Sequence, residues 1–297
     1  MTHVIDVRGL GVAFGRKTVL RGLDLALPAG SLTALVGKNG AGKTTLLRAL
    51  GGELVDATGA LRVLGLDPRR DRDELARSIG WVDERAAWPR WLRVEEQWRF
   101  LAPFHPTWDA AEARRLADAF GVEPRAKLAE LSRGERAVAL IVAALAHRPK
   151  LLLLDEPFGG LDVLARRRVF AALVEHLERA GASALFATHS IADVERVADH
   201  VALLCDGTIR LASDLEELRS HARRFVVELE HARDDWSPPL PAVIERRAEH
   251  ELVVCTLERG ADVERSLARD ARVKRVEPLG RELEDLLAAA LGEESRR

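Results

Sequence analysis

Two short runs carry the residue types for phosphate chemistry. GKNGAGKT, Gly37–Thr44, has the spacing G-x-x-x-x-G-K-[ST], preceded by an apolar run and followed by a helical pattern. Gly37, Gly40 and Gly42 let the backbone turn its N–H groups inward around an anion, and a helix N-terminus adds a favourable dipole. Lys43 is placed to reach β- and γ-phosphates, and Thr44 to ligate Mg²⁺. Asn39, Ala41 and Thr45 complete the run of phosphate-site candidates. LLLLDEP, ending at Pro157, supplies the second half. Asp155, at the end of an apolar strand, can hold Mg²⁺ through water. Glu156 follows directly and points differently, which makes it a candidate general base toward an attacking water.

These residues need strands and helices to aim them. LTALVG (32–37), LLLLDE (151–156) and SALFATH (183–189) read as buried parallel strands, because they are short apolar runs without alternation. VIDVRGLGVAF (4–14) and ALRVLG (60–65) read as further strands, and TTLLRALGG as a helix stopped at Gly51 and Gly52. From Trp88 to His147 the pattern turns helical. Asp109 with Glu112 predicts a capping box for a helix stopped at Gly121, and AVALIVAALAH a helix stopped by Pro149. VLARRRVFAALVEHLERAG is a helix, and Asp206-Gly207 between two apolar runs predicts a hairpin. After about residue 220, RRFVVELE, ELVVCTLE and RVKRVEPL read as strands. ADVERSLARDA and ELEDLLAAAL read as helices, and DDWSPPLPAV as a loop.

The chain has 297 residues, 47% of them hydrophobic, enough for a substantial core. A net charge of −2 provides no global field for nucleic acid. Cys205 and Cys255 lack metal-type spacing, which points to a reducing compartment. No signal peptide is read at the N-terminus. The longest stretch free of Asp, Glu, Lys and Arg, Leu25 to Gly37, is too short to span a bilayer, which takes roughly 20 apolar residues.

With these residues in place, the chain resembles the ATP-binding subunit of ABC transporters over about residues 3–215. GKNGAGKTT, LSRGER, LLLLDEP, GGLD and FATHS arrive in that family's order. The resemblance implies an α/β P-loop NTPase over residues 1–219. It would have a mostly parallel core sheet, an N-terminal antiparallel β subdomain and a helical subdomain at about 84–147. A small α+β domain of unknown role is expected at 220–297. It implies ATP and Mg²⁺ as ligands, ATP hydrolysis, and a site shared between two subunits. Ser132 and Gly134 of LSRGE would close the nucleotide site of the opposite subunit, and Asp162 would lie in the loop that crosses the dimer. His189 would contact the γ-phosphate, and Phe14 would stack on adenine. The family's glutamine after IGWVDER-type strands becomes Glu84, a carboxylate that can still ligate Mg²⁺ but also adds negative charge. The site would then be either slower or tuned to its partner. Arg133 stands where the family prefers glycine, either attracting the triphosphate or facing solvent.

The resemblance also implies an integral membrane subunit on a separate chain, a homodimer or a heterodimer with a second ATPase, and no nucleic-acid partner. The expected location is the cytoplasm, at the inner face of the membrane. HPTWD and the AHRPKLLLLDEPFGGLD block point toward ATPases paired with ABC-2-type membrane subunits. The other reading is a non-transport relative acting on a ribosome, nucleic acid or regulatory partner. A single cassette disfavours the ribosomal case, and the short span from Lys43 to Ser132 leaves no room for a chromosome-type coiled coil. Five tryptophans cluster at Trp81–Trp108, with Trp88 and Trp91 expected as exposed partner contacts. Arg223, Arg224, Arg246 and Arg247 are read as solvated surface rather than a binding patch.

Overall fold

The computed structural model describes residues 3–83, 88–89, 91–221, 223–231, 236–238, 243–246, 250–256, 262–279 and 287. They group into two compact units, Met1–Ser190 with Val197–Ala212, and Ile191–Arg196 with Ser213–Arg297.

In the first unit, β1 (His3–Phe14), β2 (Lys17–Pro28) and β4 (Thr58–Val63) form an antiparallel sheet in the order β2-β1-β4. The inward set of β1 changes parity, from Ile5 and Val7 to Leu10 and Val12. A register shift between Val7 and Leu10, with Gly9 at φ 62°, makes that change possible. The second sheet contains β3 (Leu32–Val36), β5 (Ile79–Asp83), β6 (Leu151–Asp155), β7 (Ser183–Thr188), β8 (His200–Cys205) and β9 (Thr208–Asp214). Their order is β5-β6-β7-β3-β8-β9, with the first five strands parallel. Every residue of β3, β6 and β7 is buried, as expected of strands covered on both faces. Asp206 and Gly207, both at positive φ, make the two-residue turn into β9.

Helix α1 (Lys43–Leu50) follows β3 and stops at Gly51; the short α2 (Arg72–Ala76) precedes β5. The helical segment comprises α3 (Val94–Leu101), α4 (Ala110–Phe120) and α5 (Arg133–Ala146). The Asp109 carboxylate accepts the N–H groups of Ala111 and Glu112 at 2.9 and 3.0 Å, and Gly121 closes α4 in the left-handed conformation. Glu112 pairs with Arg115 at 2.8 Å instead of returning to the cap, so only one arm of the expected box forms. Helix α6 (Val163–Ala180) connects β6 to β7, and α7 (Ile191–Val197) follows β7.

Among the described residues, the second unit holds α8 (Leu215–His221) and four strands, β10 (Arg223–Leu229), β11 (Val243–Arg246), β12 (Glu251–Thr256) and β13 (Val273–Pro278). They form an antiparallel sheet in the order β11-β12-β10-β13, accompanied by α9 (Asp262–Ala268). Phe225, Val227, Leu252, Val254, Val263 and Leu267 make its core, joined by Trp236. The Trp236 indole N–H donates to Asp270 at 3.1 Å. Arg224 is buried in β10, so this arginine belongs to the interior and not to a solvated surface. The helix expected at ELEDLLAAAL lies outside the described residues except for Leu287.

Candidate functional site

The parallel register sets the carboxyl ends of β3, β6 and β7 side by side. Val36 is opposite Thr188, and Asp155 opposite Ala187. Loops leaving those ends form the crevice where open α/β sheets place their ligands.

The loop from Gly37 to Gly42 leaves β3 and enters α1. A side chain at Gly37 would come within 2.5 Å of the Leu204 carbonyl oxygen, so the neighbouring strand enforces glycine there. Gly42, at φ 110°, is the N-cap of α1. Lys43 is buried at the first helical position. Its Nζ donates to the Gly37 carbonyl at 2.6 Å, folding the side chain back under the loop. The same nitrogen is 3.5 Å from Glu156 Oε1. Asn39 and Gly40 are exposed, while Ala41 and Thr45 are half-buried.

The Thr44 hydroxyl donates to Asp155 Oδ2 at 2.7 Å, bringing together two of the three expected metal ligands. Burial pushes the Asp155 carboxyl above its ordinary range, the Thr44 bond opposes that shift, and the charges of Asp83 and Glu156 add to it. Both groups are hard oxygen donors, the type that suits Mg²⁺. Asp83 is the register partner of Asp155 across β5 and β6, and lies 3.5 Å from Arg48. Glu84, the residue after it, lies outside the described residues.

Glu156 turns away from the strand at φ 46°, a left-handed conformation unusual for a residue with a side chain. Its N–H donates to the Ala187 carbonyl at 3.1 Å. The change of backbone hand sends consecutive carboxylates to different places, Asp155 to Thr44 and Glu156 to Lys43 and His189. Nδ1 of His189 is 3.0 Å from both Glu156 oxygens, and its side chain is 64% exposed. Lys43, Thr44, Asp155, Glu156 and His189 thus form one cluster.

Ser132 and Gly134 form a second cluster. Ser132 is the N-cap of α5. Its hydroxyl oxygen accepts the Glu135 N–H at 3.2 Å, and the Glu135 carboxylate accepts the Ser132 N–H at 2.7 Å. That reciprocal pair holds the Glu135 carboxyl below its ordinary range. Gly134 is buried, and a Cβ there would be 2.6 Å from the Gly160 carbonyl oxygen. Beyond the closing role expected of it, this glycine packs closely on the GGLD segment. Asp162 of that segment is the N-cap of α6, accepting the N–H groups of Leu164 and Ala165 at 2.8 and 2.9 Å, and these bonds lower its pKa. Phe14 is 54% exposed beside the turn between β1 and β2, open to a stacking partner.

Of the two tryptophans expected to be exposed, Trp91 is, at 71%, while Trp88 is half-buried with its ring edge-on to Phe100. Sequence reasoning missed a cavity of about 360 Å³ lined in part by Trp81, Trp88, Gln97, His105 and His147. Gln97 is fully buried, and among the described residues neither of its amide atoms has a hydrogen-bond partner. The His105 and His147 rings stack 3.9 Å apart, and burial pulls the His147 pKa down to about 3. The available signal was a polar Gln97 between Val94 and Trp98 on the apolar face of α3.

A strand–glycine loop–helix with a buried lysine, joined to a strand-end Asp-Glu pair, defines a nucleotide-hydrolysing α/β protein. The family described as ABC transporter matches residues 20–159. The chain is 36% identical to the aliphatic sulfonates import ATP-binding protein SsuB of Pseudomonas fluorescens, over 74% of this chain and 80% of that one. It is 37% identical to SsuB 2 of Nocardia farcinica, over 78% and 92%. A solved ATP-binding subunit of an ABC transporter superposes with a TM-score of 0.66 at 28% identity, covering 73% of this chain and 92% of that chain. The chain therefore belongs to the ABC transporter family, as an ATP-binding subunit with ATPase activity.

Proposed function

We propose that two nucleotide-binding units sandwich ATP, each site combining the Gly37–Thr44 loop of one subunit with Ser132 and Gly134 of the other. The cycle would drive a separate integral membrane subunit from the cytoplasmic face of the membrane. The observation that supports this reading best is the Lys43–Glu156–His189 cluster beside the Thr44–Asp155 pair. Thr44 and Asp155, with Glu84 as a further candidate, would hold Mg²⁺, which supplies charge neutralisation on the phosphates. Phe14 would carry the adenine ring, and Asn39, Gly40, Ala41 and Thr45 would line the phosphates.

Glu156 takes a proton from water as the water oxygen bonds to the γ-phosphorus. The bond from the γ-phosphorus to the bridging oxygen breaks, and its electron pair leaves with ADP. Lys43 must exchange its Gly37 carbonyl contact for phosphate oxygens as nucleotide enters. The carboxylate accepts only, so a neutral His189 donates its Nδ1 proton to Glu156 and keeps Nε2 as an acceptor. Donation from Nε2 to a γ-phosphate requires a doubly protonated ring or the release of Glu156 to face water. Asp162, fastened to α6, would place the crossing loop.

The two subunits are a homodimer in this proposal, with a second ATPase chain as the other arrangement. Residues 220–297 would form a small accessory α+β domain, and cargo choice would rest with the membrane subunit. Glu156→Gln should accumulate as an ATP-bound dimer. Light scattering that shows no ATP-dependent self-association of this variant would overturn the homodimeric sandwich.

A further inference from the structure

Arg133, where the family prefers glycine, begins helix α5 directly after the Ser132 N-cap. Gly160, at φ 78°, has no side chain, and a Cβ built on it would lie 3.3 Å from Arg133 Cγ and 3.4 Å from Cδ. The aliphatic stem of Arg133 therefore covers Gly160 of the same chain. On the adjoining side Gly134 rests on the Gly160 carbonyl, and a Cβ there would also be 3.3 Å from Leu161 Cδ2. The first turn of α5 thus grips Gly160 through two successive residues. Gly160 lies on the short connection from Glu156 to Asp162, which is tightened by Gly159 N–H to Glu156 carbonyl and Leu161 N–H to Phe158 carbonyl bonds of 3.2 and 3.3 Å.

We propose that Arg133 is a positioning residue whose stem clamps the start of α5 to Gly160. The proposal rests on the composite-site reading above. Each chain then offers Ser132 and Gly134 to one nucleotide while its own Glu156 serves the other. A clamp between the two segments makes them move as one piece, so occupancy of one site alters the geometry presented to the second. A long apolar stem suits this role, since arginine packs through its methylenes as well as its charge. Glycine at 133 would leave Gly160 uncovered, with the Gly134 contact alone joining the two segments.

The test is steady-state ATPase of the full chain, with its membrane partner where needed, over a range of ATP concentrations. Arg133→Gly and Arg133→Met are compared with wild type, and melting temperature is recorded for each. Arg133→Gly should lower the Hill coefficient toward one and raise the ATP concentration for half-maximal rate about fivefold, the lower end of coupling between sites. Arg133→Met, which keeps a stem and loses the charge, should retain wild-type cooperativity. Equal losses in both variants would assign Arg133 to phosphate attraction and overturn the clamp. An unchanged Hill coefficient in Arg133→Gly would overturn it as well. A wild type with no cooperativity, together with a Glu156→Gln variant that does not self-associate on ATP, would remove the composite site itself and not merely the clamp.

Discussion

The Lys43–Glu156–His189 cluster and the Ser132–Gly134 cluster are built in opposite ways. The first gathers side chains from the ends of three different strands, and their polar groups face one another across 3.0 to 3.5 Å. The second is made by a capping box within one helical turn and by the packing of that turn on Gly160. The converging cluster depends on sheet register for its geometry. The local one depends on backbone capping and on a single close approach. Damage to the first should fall on the chemistry, and damage to the second on assembly.

The largest expected effect separates them most sharply. Glu156→Gln removes the proton acceptor and should lower kcat by about 10²-fold or more, as loss of a general base does. Phosphate release measures this, and normal ATP binding by single chains should persist. Gly134→Ala should do the converse. Its methyl group meets the Gly160 carbonyl, and overpacking of this kind costs about 1–3 kcal/mol. ATP-dependent self-association should weaken by roughly tenfold, while a fluorescent nucleotide still binds single chains as before. A Gly134→Ala variant that loses nucleotide binding instead would erase the distinction between the clusters.

Smaller effects probe the capping box alone. Ser132→Ala removes an N-cap and should cost about 1 kcal/mol of stability, read as a fall of roughly 2–4 °C in melting temperature. Glu135→Gln tests its charge. Hydrogen bonds from Ser132 hold the folded Glu135 carboxyl below its ordinary value of 4.5. Its stabilisation is therefore present above that value and is lost as pH falls through the lower, folded value. The difference in melting temperature between wild type and Glu135→Gln should be greatest near neutral pH and close under acid conditions.

The converging cluster is the more legible of the two in sequence. Its residues are chemically distinctive, and the strands carrying them are unbroken apolar runs. The S-x-x-E spacing of Ser132 and Glu135 is equally visible, yet its capping role depends on where α5 begins. The seat of Gly134 on Gly160 has no local signature at all. It arises when α5 and the connection after β6 are packed together, and no pattern within either segment reports it. Gln97 leaves only a weak trace, a polar residue on the apolar face of α3 that shows as buried once the helix is placed. The parity change in β1 hides behind Gly9, which blurs the alternation that marks a half-buried strand.

The left-handed backbone at Glu156 also bears on the durability of the molecule. An L-residue in that conformation gives up about 1–2 kcal/mol that glycine would not. Glu156→Gly should consequently melt at a higher temperature than wild type while hydrolysing no ATP. The position that turns the nucleotide over would then be one where this chain is less stable than it could be.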